Sequence, residues 1–118
     1  RIADTTLTVA GTVLGTPYYM SPEQVSGKPA EARSDLFSLG VVLFELLAGR
    51  KPFTADALGP LLLAIVNQPP PDLRVLRPGV PEPIVAIVER ALQKAPDARY
   101  QSAVALSSAL REGLTNIK

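Results

Sequence analysis

With neither cysteine nor histidine in 118 residues, the chemistry open to this chain is that of carboxylates, lysines, tyrosines and hydroxyls. Disulfides, Cys/His zinc sites and every nucleophile–imidazole arrangement are excluded together. The carboxylates form no close cluster in sequence. Asp35 and Glu45 are ten residues apart on one expected helix, nearly three turns, so they share a face without touching. Glu45 reads as a solvent-seeking charge. Asp35 precedes the most apolar run of the chain, where an ionised group without partners costs several kcal/mol, so it is expected to take backbone N–H groups of another segment. Glu23 and Arg99 each lie beside a proline-marked boundary, and spacing alone leaves them as two surface charges. The stretch GTPYYMSPEQ, Gly15 to Gln24, reads either as a loop leading into a capped helix or as a surface that recognises something.

The elements that must position these groups are helical. Residues 1–20 carry no sustained period; Thr5, Thr6, Thr8 and Thr12 lie close together with Gly11 and Gly15, a loop with β-prone patches. Loops of that length are usually functional or disordered. Ser21-Pro22-Glu23 starts a short helix, with Ser as cap, Pro in the first turn and an acid at the positive end of the dipole; Gly27 and Pro29 end it. Ser34 offers a second N-cap ahead of LFSLGVVLFELLAG, which stops at Gly49. That helix is apolar nearly all round and is expected to be buried on all sides, although the chain offers limited material to wrap it. A third helix is expected from Asp56 or Ala57 to Asn67. The stretch QPPPDLRVLRPGVPEP holds six of the 12 prolines and reads as an extended connector, or less simply as a polyproline ligand. A fourth helix covers Glu82 to Lys94, with Ile84, Ile87, Val88, Ala91 and Leu92 on one face. A fifth begins at a Ser102 cap and carries Leu106, Ala109, Leu110 and Leu114 on a stripe. The fold class expected is all-α with a leading loop.

Composition bounds the partners. Apolar residues make up 47% and charged residues 19%, a globular balance. A net charge of +1 offers no electrostatic case for nucleic acid or an anionic membrane. No apolar stretch reaches the roughly 20 residues of a bilayer span, and RIADTT is not a signal peptide. The expectation is a soluble, cytoplasmic domain with no nucleic-acid or membrane partner for this segment.

Three stretches in order, GTPYYMSPEQ, SDLFSLGVVLFELLAGRKPF and ALQKAPDARYQSA, closely resemble the C-terminal lobe of eukaryotic-like (Hanks-type) serine/threonine protein kinases, the bacterial branch most nearly. Ser21-Pro22-Glu23 stands where that family has Ala-Pro-Glu; Asp35, Ser38 and Gly40 fit its D-x-x-S-x-G helix; Arg99 fits its late arginine. The resemblance implies an all-α helical C-lobe over residues 21–118, preceded by an activation loop and substrate wall over residues 1–20. Gly15, Thr16, Pro17, Tyr18 and Tyr19 would form the wall beside the phosphoacceptor, with Thr16 bonded to the catalytic aspartate and its companion lysine. The Gly15-Thr16-Pro17 wall, without the Trp typical of tyrosine kinases, implies Ser/Thr acceptors. Thr8 and Thr12, then Thr5 and Thr6, become candidates for regulatory phosphorylation, which adds about −2 charge and orders a loop against arginines. Glu23 and Arg99 become a buried ion pair, Asp35 a clamp on the catalytic loop, and the helix ending at Asn67 an outer docking helix.

The departures define the rest of the expectation. The sequence has no glycine-rich phosphate loop, strand lysine, H-R-D or D-F-G, the parts that phosphoryl transfer requires, and Arg1-Ile2-Ala3 resembles the sequence just past the D-F-G. No catalytic residue and no metal site is therefore expected in this chain; ATP and Mg²⁺ would belong to the parent kinase domain. The expected partners are the missing N-terminal kinase half, in cis or in trans, protein substrates with Ser/Thr acceptors, and a second copy of the chain, through exposed apolar surface or loop exchange. The alternative is a stand-alone, non-catalytic, kinase-derived helical interaction module.

Overall fold

The computed structural model describes residues 17–115. Among these residues every regular element is helical: α1 (Pro22–Val25), α2 (Ala32–Ala48), α3 (Leu58–Asn67), α4 (Leu73–Leu76), α5 (Glu82–Ala91) and α6 (Ala103–Thr115), with 3₁₀ turns at Pro17–Tyr19 and Pro96–Ala98.

Local chemistry sets most boundaries. Ser21 caps α1 by accepting from the Gln24 backbone N–H, while the Gln24 side chain accepts from the Ser21 N–H, a reciprocal capping box. Ser34 does not cap α2, contrary to the expectation from sequence. The cap is Glu31, and Ser34 sits three residues inside, where its Oγ accepts from the Glu31 N–H at 3.2 Å; Ala32 and Arg33 are good helix formers that extend the helix back one turn. Gly49 ends α2 with φ +77°, a left-handed conformation that costs a residue with a side chain far more than glycine. The proline-rich connector is not wholly extended: Asp72 accepts from the Arg74 N–H at 2.9 Å and caps the single turn α4. Helix α5 stops at Ala91, short of Lys94: the Gln93 N–H turns to the Arg90 carbonyl at 3.3 Å while the Gln93 side chain takes the Glu89 carbonyl, and the carbonyls of Gln93 and Lys94 accept from the Arg99 guanidinium.

Helix α2 is the hub. Phe37, Val41 and Phe44 are fully buried in one cluster with Phe53, Leu61, Ile65, Leu73, Val85, Val88 and Leu92. A smaller cluster of Leu36, Ile84, Ile87, Tyr100 and Leu106 joins α2 and α5 to α6. Gly40 makes the α2–α5 approach possible, since a Cβ there would stand 2.9 Å from Ala91 Cβ and 3.1 Å from Leu92 Cδ2. Burial of α2 is not complete. Leu46 is 75% exposed and Leu114 on α6 is 61% exposed; along the stripe of α6, Leu106 is buried, Ala109 and Leu110 pack beside it, and Leu114 stands open to solvent. Leu46 and Leu114 border an apolar cavity of about 950 Å³ with Leu43, Leu47, Ile84 and Leu110. The physical reason is the one composition hinted at: an all-round apolar helix is surrounded here on part of its circumference.

Candidate functional site: an anchored turn and its arginine clamp

The turn Pro17–Tyr19 lies across α2 and is held there by two side chains of that helix. Pro17 and Met20 are buried, and the Met20 N–H donates to the Pro17 carbonyl at 3.0 Å. Ser38 Oγ donates to the Tyr19 carbonyl. Seven residues on, two helical turns along the same face, Glu45 Oε1 accepts from the Tyr19 hydroxyl at 2.6 Å. Glu45 Oε2 also pairs with Lys51 Nζ at 3.2 Å, and that ammonium lies 5.2 Å from the centre of the Tyr18 ring. Charge-assisted bonds of this kind are the stronger class. The hydrogen bond to Glu45, then burial and the negative charge, raise the Tyr19 phenol above its ordinary range; the bonds from Tyr19 and Lys51 hold the Glu45 carboxyl below its own.

The sequence reading of Glu45 as a solvent-seeking charge is therefore corrected: it is a tether of the turn. The signal was present in the Ser38/Glu45 spacing, which aims both at one strip of chain. Beside the turn, a cavity of about 180 Å³ is lined by Pro17, Tyr18, Ala55, Asp56, Ala57, Leu58 and Leu61. It separates the turn from the head of α3.

A second anchor lies just after the turn. Glu23, in the first turn of α1, receives Arg99 through paired bonds, Nη1 to Oε2 at 2.7 Å and Nη2 to Oε1 at 2.8 Å. Arg99 is completely buried and Glu23 nearly so. The guanidinium has five N–H donors, and three backbone carbonyls complete the set: Gln93 at 2.7 Å, Lys94 at 2.9 Å and Arg33 at 3.0 Å. Ser34 Oγ donates to Glu23 Oε2 at 2.7 Å. Burial pushes the Glu23 carboxyl up, but the bonds from Arg99, Ser34 and its own backbone, with the guanidinium charge, bring it down to about 2. One guanidinium thus ties α1, the start of α2 and the end of α5.

The other residues singled out in the sequence fall as follows. Ser21 and Pro22 are buried at the head of α1, and Asp35 is half-buried in the first turn of α2. Ser38 bonds the turn and Gly40 meets α5. Gly15 and Thr16 of the wall, and Thr5, Thr6, Thr8 and Thr12, lie outside the described residues. Among the described residues no group of three or more carboxylates stands close enough to hold a metal ion.

This geometry meets its match in known proteins. The protein kinase domain family matches residues 3–110. The chain belongs to that family. Among curated relatives, it is 41% identical over 107 residues to the serine/threonine-protein kinase Pkn1 of Myxococcus xanthus, covering 91% of this chain and 15% of that protein. It is 39% identical over 113 residues to PknH of Mycobacterium tuberculosis, covering 96% and 18%, and 38% identical over 102 residues to PrkC of Bacillus subtilis, covering 86% and 16%. The kinase segment spans less than a fifth of the length of each of these relatives. Of solved structures, the twitchin kinase region from C. elegans superposes with a TM-score of 0.74 at 25% identity, over 88% of this chain and 18% of that one. The described helices are thus the all-α C-terminal lobe of the kinase fold, in a segment of the bacterial Hanks-type branch.

Proposed function

We propose that this chain is the substrate-binding and regulatory portion of a serine/threonine protein kinase, whose parent domain transfers the γ-phosphoryl of ATP to Ser or Thr hydroxyls of proteins. The observation that carries the reading is the double anchoring of the Pro17–Met20 turn to α2, through Ser38 and Glu45. A surface that orients an acceptor hydroxyl must itself be rigid, because small misplacements of a reacting group are expensive in rate. In this reading Gly15 to Tyr19 form the wall against which the acceptor segment lies, residues 1–20 are the activation loop with its Thr5, Thr6, Thr8 and Thr12 phosphorylation candidates, and residues 21–118 are the scaffold.

The sequence carries no glycine-rich phosphate loop, strand lysine, H-R-D or D-F-G, the parts that hold nucleotide and metal in phosphoryl transfer. Nucleotide, metal and catalytic residues belong in this reading to the N-terminal kinase half, in cis or in trans, and the chain alone is inactive. Asp35 then serves the catalytic loop of that half. A cytoplasmic location goes with the reading; among the described residues no helix is long and apolar enough to cross a membrane. The exposed leucines Leu58 and Leu63 of α3 favour a second reading, a non-catalytic kinase-derived module that docks a partner on that helix.

The test is phosphotransfer to a Ser/Thr peptide set with ATP and Mg²⁺. The intact kinase domain is expected to transfer and the 118 residues alone to be silent. Transfer by the 118 residues alone would overturn the division of labour; silence of the intact domain would favour the docking module.

A further inference from the structure

The small cavity beside the anchored turn has a composition of its own. Pro17 and Tyr18 line it from the turn, and Asp56, Ala57, Leu58 and Leu61 from α3 and the residues before it. Leu61 is 4% exposed and Leu58 44%, so the apolar lining reaches from the interior to solvent. Asp56 is the only charged residue of that lining, and it is exposed. Among the described residues no ion pair involves it. The nearest cation to the turn, the Lys51 ammonium by the Tyr18 ring, is already paired with Glu45. At about 180 Å³ the cavity falls below the roughly 300–1,000 Å³ of small-molecule pockets. It has room for one side chain, not for a nucleotide or a helix.

We propose that this cavity is a specificity subsite in which Asp56 receives the Lys or Arg side chain of a protein acceptor. The inference rests on the kinase reading, in which the acceptor segment lies along the turn and so passes the cavity that the turn borders. An apolar lining with one carboxylate suits a side chain built as a methylene stem under a cation, since such chains bury the stem and keep the charged head in water. A leucine would fill the lining but leave Asp56 unanswered, and an acidic side chain would be repelled by it. Ser38 and Glu45 fix the turn, so the distance from the acceptor hydroxyl to this subsite is fixed as well. The preference therefore falls at one position of the acceptor sequence, not on basic peptides in general.

The experiment uses the intact kinase domain with ATP and Mg²⁺ and a set of peptides around a central Ser or Thr. Each flanking position is in turn Lys, Arg, norleucine (the lysine stem without its ammonium) or Glu. At one position Lys or Arg is expected to raise kcat/KM about three- to tenfold over norleucine, the range for a half-exposed charge-assisted bond. Asp56→Asn should erase that difference at that position alone, and Asp56→Lys should make Glu the preferred residue there. No basic preference at any position, or one that survives Asp56→Asn, overturns the proposal; so does an equal loss for every peptide, which assigns Asp56 to the fold. Should the native domain transfer to none of the peptides, the kinase reading fails, and the subsite is judged by fluorescence anisotropy of the same labelled peptides. Tighter binding of the Lys peptide than the norleucine peptide, lost in Asp56→Asn, then upholds the subsite, and equal or absent binding overturns it.

Discussion

Arg99 and Glu23, 76 residues apart in sequence, face each other through two parallel hydrogen bonds in a site from which Arg99 is wholly closed to solvent. Every donor of the guanidinium is satisfied, two by the carboxylate and three by carbonyls at the ends of α2 and α5. Such a pair is worth most as a specifier of geometry, and removing one side leaves the other charged and buried, at a cost of about 3–5 kcal/mol. Arg99→Ala is therefore expected to lower the melting temperature by well over ten degrees in a domain of this size. Arg99→Lys should recover little of it, because three donors on a flexible stem cannot serve five fixed acceptors. Thermal unfolding followed by circular dichroism decides this, and an unchanged curve for Arg99→Ala would remove the clamp from the account.

The same pair gives the fold an acid limb. The Glu23 carboxyl is held down to about 2 from its ordinary 4.5. A depressed carboxyl binds its proton more weakly in the folded state, so its stabilisation is present above about pH 4.5 and is lost as pH falls towards about 2. Glu23→Gln should have a lower melting temperature than the native chain at pH 7 and a flatter decline across that window. Parallel declines for the two proteins would show that Glu23 does not carry the acid response.

Two glycines in helices are expected to respond to alanine with opposite signs. At Gly40 a Cβ would stand 2.9 Å from Ala91 Cβ, so α2 and α5 would have to part; overpacking of this kind costs about 1–3 kcal/mol. At Gly59, in the first turn of α3, a Cβ meets nothing within 4 Å, and alanine is the better helix former by up to about 1 kcal/mol. Denaturant titration of Gly40→Ala and Gly59→Ala should move the midpoint down and up respectively.

The tether at Tyr19 is open to a spectroscopic test. Its phenol ionises above the ordinary tyrosine range chiefly because it donates to Glu45, with burial and the carboxylate charge adding to the effect. Glu45→Gln removes the charge and weakens the acceptor, so the Tyr19 phenol, isolated by the ultraviolet absorbance difference from Tyr19→Phe, should ionise at lower pH. In the intact kinase domain Tyr19→Phe should lower kcat/KM for a peptide acceptor by about three- to tenfold, in line with the loss of a charge-assisted hydrogen bond. An unmoved titration in Glu45→Gln would separate the two residues in solution.

Much of this was legible in the sequence because the chemistry is local. Ser21-Pro22-Glu23 announced α1, Gly49 announced the end of α2, and three ordered motifs announced the family. What escaped reading was set by contacts between elements. Ser34 reads as a cap on its own, yet Glu31 and the Glu23 carboxylate claim its hydroxyl. Lys94 reads as the end of a helix, yet the Gln93 side chain takes the Glu89 carbonyl that its own N–H would have needed. Glu45 reads as a surface charge because its partners, Tyr19 and Lys51, arrive from outside its own helix. Such errors fall where side chains replace backbone partners, and these are also the positions that shape the anchored turn.

The apolar trough between α2 and α6 yields the last test. Leu46 projects into solvent from the most buried helix of the segment, next to Leu43, Leu47, Leu110 and Leu114 around a cavity of about 950 Å³. A contiguous apolar surface of this kind favours association in water. Because Leu46 is already exposed in the 118-residue chain, Leu46→Gln should leave its stability to denaturant within about 0.5 kcal/mol of the native value. The same substitution should lower the weight-average mass seen by sedimentation as concentration rises. In the intact kinase domain, if the N-terminal half covers the trough, Leu46→Gln instead buries an amide and should cost about 1–3 kcal/mol. A wild-type chain that stays monomeric across the concentration series, together with an intact domain indifferent to Leu46→Gln, would mean that neither a second copy nor the other half of the kinase uses this surface.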